Sequence, residues 1–429
     1  MRKSGFASGN ILALACFAFA SMIDALTMPI MSTALHLNNA VQNTLPASEQ
    51  AMTPLPQRLL VGYTTNHCGD LDDMTKVTQA VKDGVNVLIW SFLQFDISKD
   101  NAMVELSGGP SDNLQNFAMY KQMLKNSGYC HVVHLIAFGG WNGPHLPSGV
   151  SGSQLYKVWK KWNTQSSLND YYFDGLDWDL EGQDDQDGPR NVITVECLEQ
   201  MRDITQLAKQ DGFYVSMAPA ESYLDITTSS FSRYLNLTYQ DWHTDDFPYH
   251  GRNVYAYLLA NGGINNFDFV QIQFYESYSH AGYQIIEQKI SPTNFLVQYI
   301  DQLLSHGTTI KNDCPSTKDV DSEASTGFQV NFEDDPSVNL PSQFIPIPLN
   351  KLVFGFANGW CQNNRPKTVW MSPPQIQRAF EVLATRGQSP RGCMFWVIEE
   401  EGTNEVFFAK GLEKIFHVSR SDDTEAIPR

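Results

Sequence analysis

Four acids fall within eight positions in the segment Phe173-Asp174-Gly175-Leu176-Asp177-Trp178-Asp179-Leu180-Glu181-Gly182, interleaved with large apolar residues. On an extended strand successive side chains alternate faces, so Asp177, Asp179 and Glu181 share one face and Trp178 and Leu180 the other. Three crowded carboxyls cannot all ionise cheaply, because like-charge proximity and desolvation raise at least one pKa. A protonated glutamate beside ionised or proton-sharing aspartates is what general acid catalysis needs at neutral pH. A solvated loop and a calcium site are the other readings of such a stretch. The interleaved Phe173, Trp178 and Leu180 are wrong for a solvated loop. Counted as a calcium loop from Asp177, the twelfth position is Gly188, where a bidentate glutamate is required.

These acids need a strand to align them, and the chain supplies eight β-like runs. They lie at 59–63, 85–92, 132–138, 172–178, 214–217, 269–275, 352–356 and 393–398, separated by longer polar, helix-compatible stretches. Such alternation predicts parallel strands joined by crossover helices, and eight is the number that closes a (β/α)8 TIM barrel. An open doubly wound sheet is the alternative, but no phosphate-binding glycine fingerprint follows the first run. The acids would then stand at the C-terminal end of the fourth strand, the end where barrel active sites lie. The segment 57–417 exceeds the ~250 residues typical of the fold, so long loop insertions are expected. The longest, between strands six and seven, covers about 277–350. Its part from 308 to 348, rich in Asp, Ser, Thr, Asn and Pro, reads as an irregular excursion.

The remaining 1–56 and 418–429 read as processing and tail segments. Arg2 and Lys3 precede an apolar run at 11–23, and Ala18-Phe19-Ala20 has the small-residue spacing of a cleavage site. Residues 1–20 are therefore expected to be a secretory signal peptide, 21–56 an N-terminal linker and 418–429 a C-terminal tail. An uncleaved anchor is the other reading of 11–23, although the run is short for a ~20-residue span. Export makes the six cysteines beyond Cys16 candidates for disulfides, with fifteen possible pairings. No CxxC pair occurs, so no zinc site and no other metal or cofactor is expected. Asn236-Leu237-Thr238 is an N-glycosylation acceptor pattern. The 429 residues carry a formal net charge of −18, with 42% hydrophobic residues. That is a globular composition, and its charge excludes nucleic acid and anionic membrane surfaces as good partners. A neutral or cationic ligand fits better.

The DxxDxDxE pattern at Asp174, Asp177, Asp179 and Glu181 resembles the signature of glycoside hydrolase family 18, the chitinase family. Other pieces match in order. Gly62-Tyr63 resembles the end of the family's first strand, and Ala137-Phe138-Gly139-Gly140-Trp141 its SxGG motif on the third. Met217-Ala218-Pro219 resembles the fifth-strand motif. Gln273-Phe274-Tyr275 resembles the sixth strand of the plant and fungal hevamine-like members. Gly392, Met394, Trp396 and Ile398 resemble the eighth. About 30 residues separate strands seven and eight beyond Trp360, too few for the extra α+β insertion that deepens the cleft in some members.

The resemblance implies a secreted, endo-acting, retaining chitinase whose substrate supplies its own nucleophile, an exception to the two-carboxylate scheme. It implies Glu181, Asp179, Asp177 and Tyr275 as catalytic residues, with Glu181 the acid and then the base. Trp396, Tyr63, Met217, Gln273 and Trp141 would bind substrate, and Asp174, Gly139 and Gly140 would be structural. For Tyr63 and Met217, barrel-core packing is the competing assignment, as it is for Gln271. Trp141 and Trp360 could stack on sugars or cap helices. His134 reads as a satisfied core histidine. The implied partner is chitin or chitooligosaccharide, met by a monomer. An endo-β-N-acetylglucosaminidase acting on the chitobiose core of N-glycans shares the acidic motif, and a non-catalytic lectin is a third possibility. Two positions depart from the family pattern: the SxGG serine is Ala137, and the Asp or Asn that commonly follows the sixth-strand tyrosine is Glu276.

Overall fold

The computed structural model describes residues 52–70, 74–98, 103–165, 170–185, 187–235, 252–276, 279–313, 326–363 and 368–417. The expected signal peptide, most of the linker, the sequon at Asn236, Cys314 and the C-terminal tail lie outside these residues.

The short β-branched and aromatic runs form eight parallel strands: β1 (Leu59–Thr64), β2 (Val87–Ile97), β3 (Val133–Gly140), β4 (Gly175–Leu180), β5 (Tyr214–Met217), β6 (Phe269–Gln273), β7 (Leu352–Ala357) and β8 (Gly392–Trp396). Each pairs with its sequence neighbour, and β1 pairs with both β2 and β8, so the sheet closes into a barrel. The intervening amphipathic stretches form α1 (Thr75–Lys82), α2 (Leu114–Asn126), α3 (Gly152–Trp162), α4 (Val195–Gln210), α5 (Ala256–Gly262), α6 (Pro292–Asp313), α7 (Pro373–Thr385) and α8 (Phe408–His417). Capping explains where several begin. Ser151 and Ser372 form capping boxes with Gln154 and Gln375, and the Thr194 hydroxyl accepts from the Cys197 amide.

Strand alternation divides the apolar residues into two cores. Val61, Ile89, Leu135, Val353 and Met394 fill the barrel interior. Trp90, Leu176, Trp178 and Phe354 point outward and pack under the helices. The Trp178 indole donates to Thr205 of α4 at 2.8 Å, satisfying its one polar group inside that apolar layer.

Three details depart from the sequence reading. Residues 52–56, expected to end a linker, lie across the N-terminal opening of the barrel: Tyr214 donates to the Thr53 carbonyl, Arg391 donates to that of Pro56, and Leu55 packs on the interior core. The expected irregular excursion contains order at both ends. Helix α6 runs to Asp313, and strands Gly327–Val330 and Gln343–Pro346 form an antiparallel pair that buries Phe328, Val330 and Ile345. Strand β2 also overruns its predicted end and pairs with an additional antiparallel strand, Val104–Gly108. Between β7 and β8 the described elements are a short 3-10 turn and α7, as the spacing there implies.

Disulfides are not formed among the described cysteines. Cys68, Cys197, Cys361 and Cys393 are buried and in no disulfide, and Cys130 is exposed. The physical reason is placement: Cys197 sits on α4, Cys393 on β8 and Cys361 in the turn after β7, each packed into the core from its own element. Among the described residues no group of three His, Cys, Asp or Glu could hold a metal ion, and no helix is long and apolar enough to cross a membrane.

Candidate active site

Strand β4 carries the acids. It is registered between β3 and β5, with Ala137 and Ser216 as the two lateral neighbours of Asp177. Asp177, Asp179 and Glu181 are all buried, and the first two project into the barrel with the spacing that a pleated strand dictates. Asp174 does not join them. Its carboxylate accepts from the His134 amide at 2.8 Å and pairs with Lys121 at 3.4 Å, tying the start of β4 to β3 and α2. His134 is buried and accepts from the Trp90 indole at 3.3 Å, a satisfied core histidine.

Asp177 accepts three hydrogen bonds, from Tyr63 Oη at 2.5 Å, Ser216 Oγ at 2.5 Å and Gln271 Nε2 at 3.0 Å. Burial pushes its pKa up to about 6, and these three donors hold it back from rising further. Asp179 accepts from Gln273 Nε2 at 2.7 Å. Burial and the charges of Glu181, Asp177 and Glu276 raise Asp179 well above the usual carboxylate range. Burial, then the charge of Glu276, raises Glu181 likewise, while hydrogen bonds with Asp179 and Gln273 favour its ionised form. Burial and mutual proximity make it costly to ionise Asp179 and Glu181 together. Glu276, just past β6, is pushed up to about 7 by burial. Four carboxyls thus meet at the barrel mouth. Among the described residues none of them is in an ion pair.

Two glycines allow this approach. Gly139 has φ +117, and a Cβ there would lie 2.2 Å from the Asp179 carbonyl oxygen. Gly140 has φ +80, and its Cβ would lie 2.4 Å from the Phe92 ring. Side chains at either would separate β3 from β4 or displace Phe92.

Aromatic residues build the rest. Trp396 is half-buried at the end of β8. It stacks on Phe92 at 5.6 Å and tilts against Tyr63 at 5.7 Å, making an apolar floor beside the acids. The Trp360 indole donates to the Trp396 carbonyl at 3.1 Å, so it supports that floor. Tyr275 packs against both cores. Burial raises its hydroxyl's pKa well above normal, followed by the charges of Asp179 and Glu181, which places the hydroxyl in the field of the acids. Trp141 is 44% exposed on the rim. Its indole N–H donates to Asp184 at 2.9 Å, and Asn142 donates to the other oxygen of the same carboxylate at 2.8 Å.

One predicted residue is displaced. Met217 is fully buried in the outer core, beside Trp178, and does not line the site. Alternation decides this: Ser216 registers with Asp177 and points inward, so Met217 points to the helices. Ser216, Gln271 and Phe92 are site residues that the motif match did not single out. Period two puts Ser216 on the face opposite Met217, but only the register of β5 against β4 turns that face inward. Gln271 was visible in the same way, on the face of Gln273 and Tyr275.

The fold is a (β/α)8 barrel whose C-terminal mouth is lined by buried acids. Among solved structures, the chain is similar to a GH18 chitinase from Pseudoalteromonas aurantia, at 16% identity and a TM-score of 0.44, covering 83% of this chain and 99% of that one. It is also similar to a fungal endo-β-N-acetylglucosaminidase from glycosyl hydrolase family 18, at 14% identity and a TM-score of 0.44, covering 84% and 98%. A third is the xylanase and α-amylase inhibitor protein from Scadoxus multiflorus, at 12% identity and a TM-score of 0.42, covering 83% and 97%. No protein-family model and no curated protein matches the chain.

Proposed function

We propose that this protein is a secreted, endo-acting chitinase of glycoside hydrolase family 18, cutting β-1,4 bonds between N-acetylglucosamine units. The observation that carries the reading is the buried pair Asp179 and Glu181, both with raised pKa values, on the same strand as an Asp177 anchored by Tyr63 and Ser216. Glu181 stands at the mouth with a raised pKa, so it holds a proton for the leaving oxygen at near-neutral pH. The substrate's acetamido carbonyl then attacks the anomeric carbon and gives an oxazolinium ion. Glu181, now ionised, takes a proton from the water that opens the ring. Asp179 orients the acetamido group and offsets the positive charge. Tyr275 donates to the acetamido oxygen, Trp396 underlies the distorted sugar, and Tyr63 acts through Asp177. Trp141 offers a stacking face on the rim for a further sugar. Residues 1–20 direct export, and the barrel works as a monomer without a cofactor.

The test is incubation of residues 21–429, beside a Glu181→Gln variant, with N-acetylglucosamine hexamer and with a high-mannose glycopeptide. Shorter oligomers formed first as the β-anomer, and absent with the variant, are the expected result. Release of glycan leaving one sugar on the peptide moves the assignment to an endo-β-N-acetylglucosaminidase. Hexamer binding without cleavage of either substrate makes the protein a lectin.

A further inference from the structure

Asp177 has one barrel neighbour on each side, and the two differ. On β3 it faces the methyl group of Ala137; on β5 it faces the hydroxyl of Ser216. Both residues are fully buried, so no bulk water can stand in for a missing donor. The Ser216 hydroxyl donates to Oδ1, the oxygen that also accepts from Gln271 of β6, while Tyr63 of β1 donates to Oδ2. Asp179 on the same strand is the charged neighbour, and the Tyr255 hydroxyl lies in the field of both aspartates. Every described donor on Asp177 is neutral. Without an ion pair, these hydrogen bonds are what favour its ionised form.

We propose that Ser216 is a positioning residue of the catalytic machinery: its hydroxyl holds Asp177 as an ionised acceptor, so that the mobile proton resides with Asp179 and Glu181. The strand-three flank, where Ala137 offers only a methyl group, cannot do this, and strand five does it instead. The inference rests on the chitinase reading given above, in which Glu181 holds the proton and Asp179 orients the acetamido group. Burial alone pushes Asp177 upward, and Ser216 is first among the groups that oppose it. Losing one neutral donor to a buried carboxylate raises its pKa. The ionised form is then lost at a higher pH as pH falls.

The experiment is the pH profile of kcat/KM on N-acetylglucosamine hexamer for the full-length enzyme and three variants. Ser216→Ala should move the acid limb up by about one pH unit and lower activity most at acidic pH. Ser216→Thr keeps the hydroxyl and should keep the limb. The double variant Ala137→Ser/Ser216→Ala returns a hydroxyl from the opposite flank and should bring the limb back down. An acid limb unchanged in Ser216→Ala, whatever happens to kcat or melting temperature, overturns the proposal. So does a double variant that stays where Ser216→Ala lies. Wild-type enzyme that fails to cut the hexamer overturns the chitinase reading instead, so the two failures are distinguishable.

Discussion

At the N-terminal end of the barrel, Asp268 is held by Lys209 at 2.7 and 2.9 Å, and it accepts from the Val215 amide at 2.8 Å. Arg391 reaches the Asp268 carbonyl at 2.9 Å, and Lys351 reaches that of Phe267 at 2.6 Å. At the C-terminal end, Asp177, Asp179, Glu181 and Glu276 converge with hydroxyl and amide donors but, among the described residues, no cation. Both ends are built on the same strands. One end pairs Asp268 with Lys209 and sets Arg391 and Lys351 on backbone carbonyls, which ties β5, β6, β7 and β8 together. The other keeps its acids uncompensated, which raises their pKa values and makes protons available. Barrels divide stability and chemistry between their ends in this way.

Four substitutions probe that division. Glu181→Gln should lower kcat on the hexamer by about 10²–10⁴-fold, the usual weight of a general acid, while the melting temperature holds or rises because a crowded acid is gone. Asp268→Ala should do the opposite. It strands Lys209 and the Val215 amide and should cost about 1–3 kcal/mol in urea unfolding, with kcat per folded molecule retained. A large kcat loss without unfolding would erase the distinction between the ends. Trp141→Ala should raise KM for the hexamer about fivefold, in line with an aromatic contact of roughly 1 kcal/mol, and leave kcat near wild type.

The smallest effect concerns Glu276. Its folded pKa of about 7 lies above that of an unfolded glutamate, so its contribution to stability is complete at low pH and is lost as pH rises through 7. Glu276→Gln should therefore gain on wild type between pH 4 and pH 8, by roughly 2 °C in melting temperature. Parallel melting curves for the two proteins across that range would show that this acid is not strained by its site.

Much of this arrangement was legible in the residues. The eight apolar runs each became a barrel strand, because strand-length β-branched runs separated by helix-compatible stretches have few other ways to be buried. The acid motif was readable because carboxyls alternate with bulky apolar residues, which assigns a face to each. The misses have physical causes as well. Met217 matched a motif, but the face it takes depends on the register of β5 against β4, and motif matching does not carry register. Ser216 and Gln271 are ordinary residue types whose roles exist only through Asp177. The hairpin extension of β2 and the ordered ends of the 277–350 excursion are tertiary outcomes: polar stretches gain structure by packing Phe328 and Ile345 into the shared core. The cysteine count suggested bridges, but a large interior can bury thiols singly.

The seam of the barrel has a consequence for how the chain acquires its shape. Leu59 opens the first strand and pairs with Gly392 at the start of the last. Synthesis proceeds from the N-terminus, so β1 waits for its second partner until nearly the whole barrel has been made. Until then β1 and β7 present unpaired backbone edges, the surfaces most prone to pair with another chain. Ring closure joins the most distant contacts in the sequence and should be slow and late. Any truncation before residue 392 leaves those edges open for good, so nascent chains stalled there are the form most in need of a chaperone.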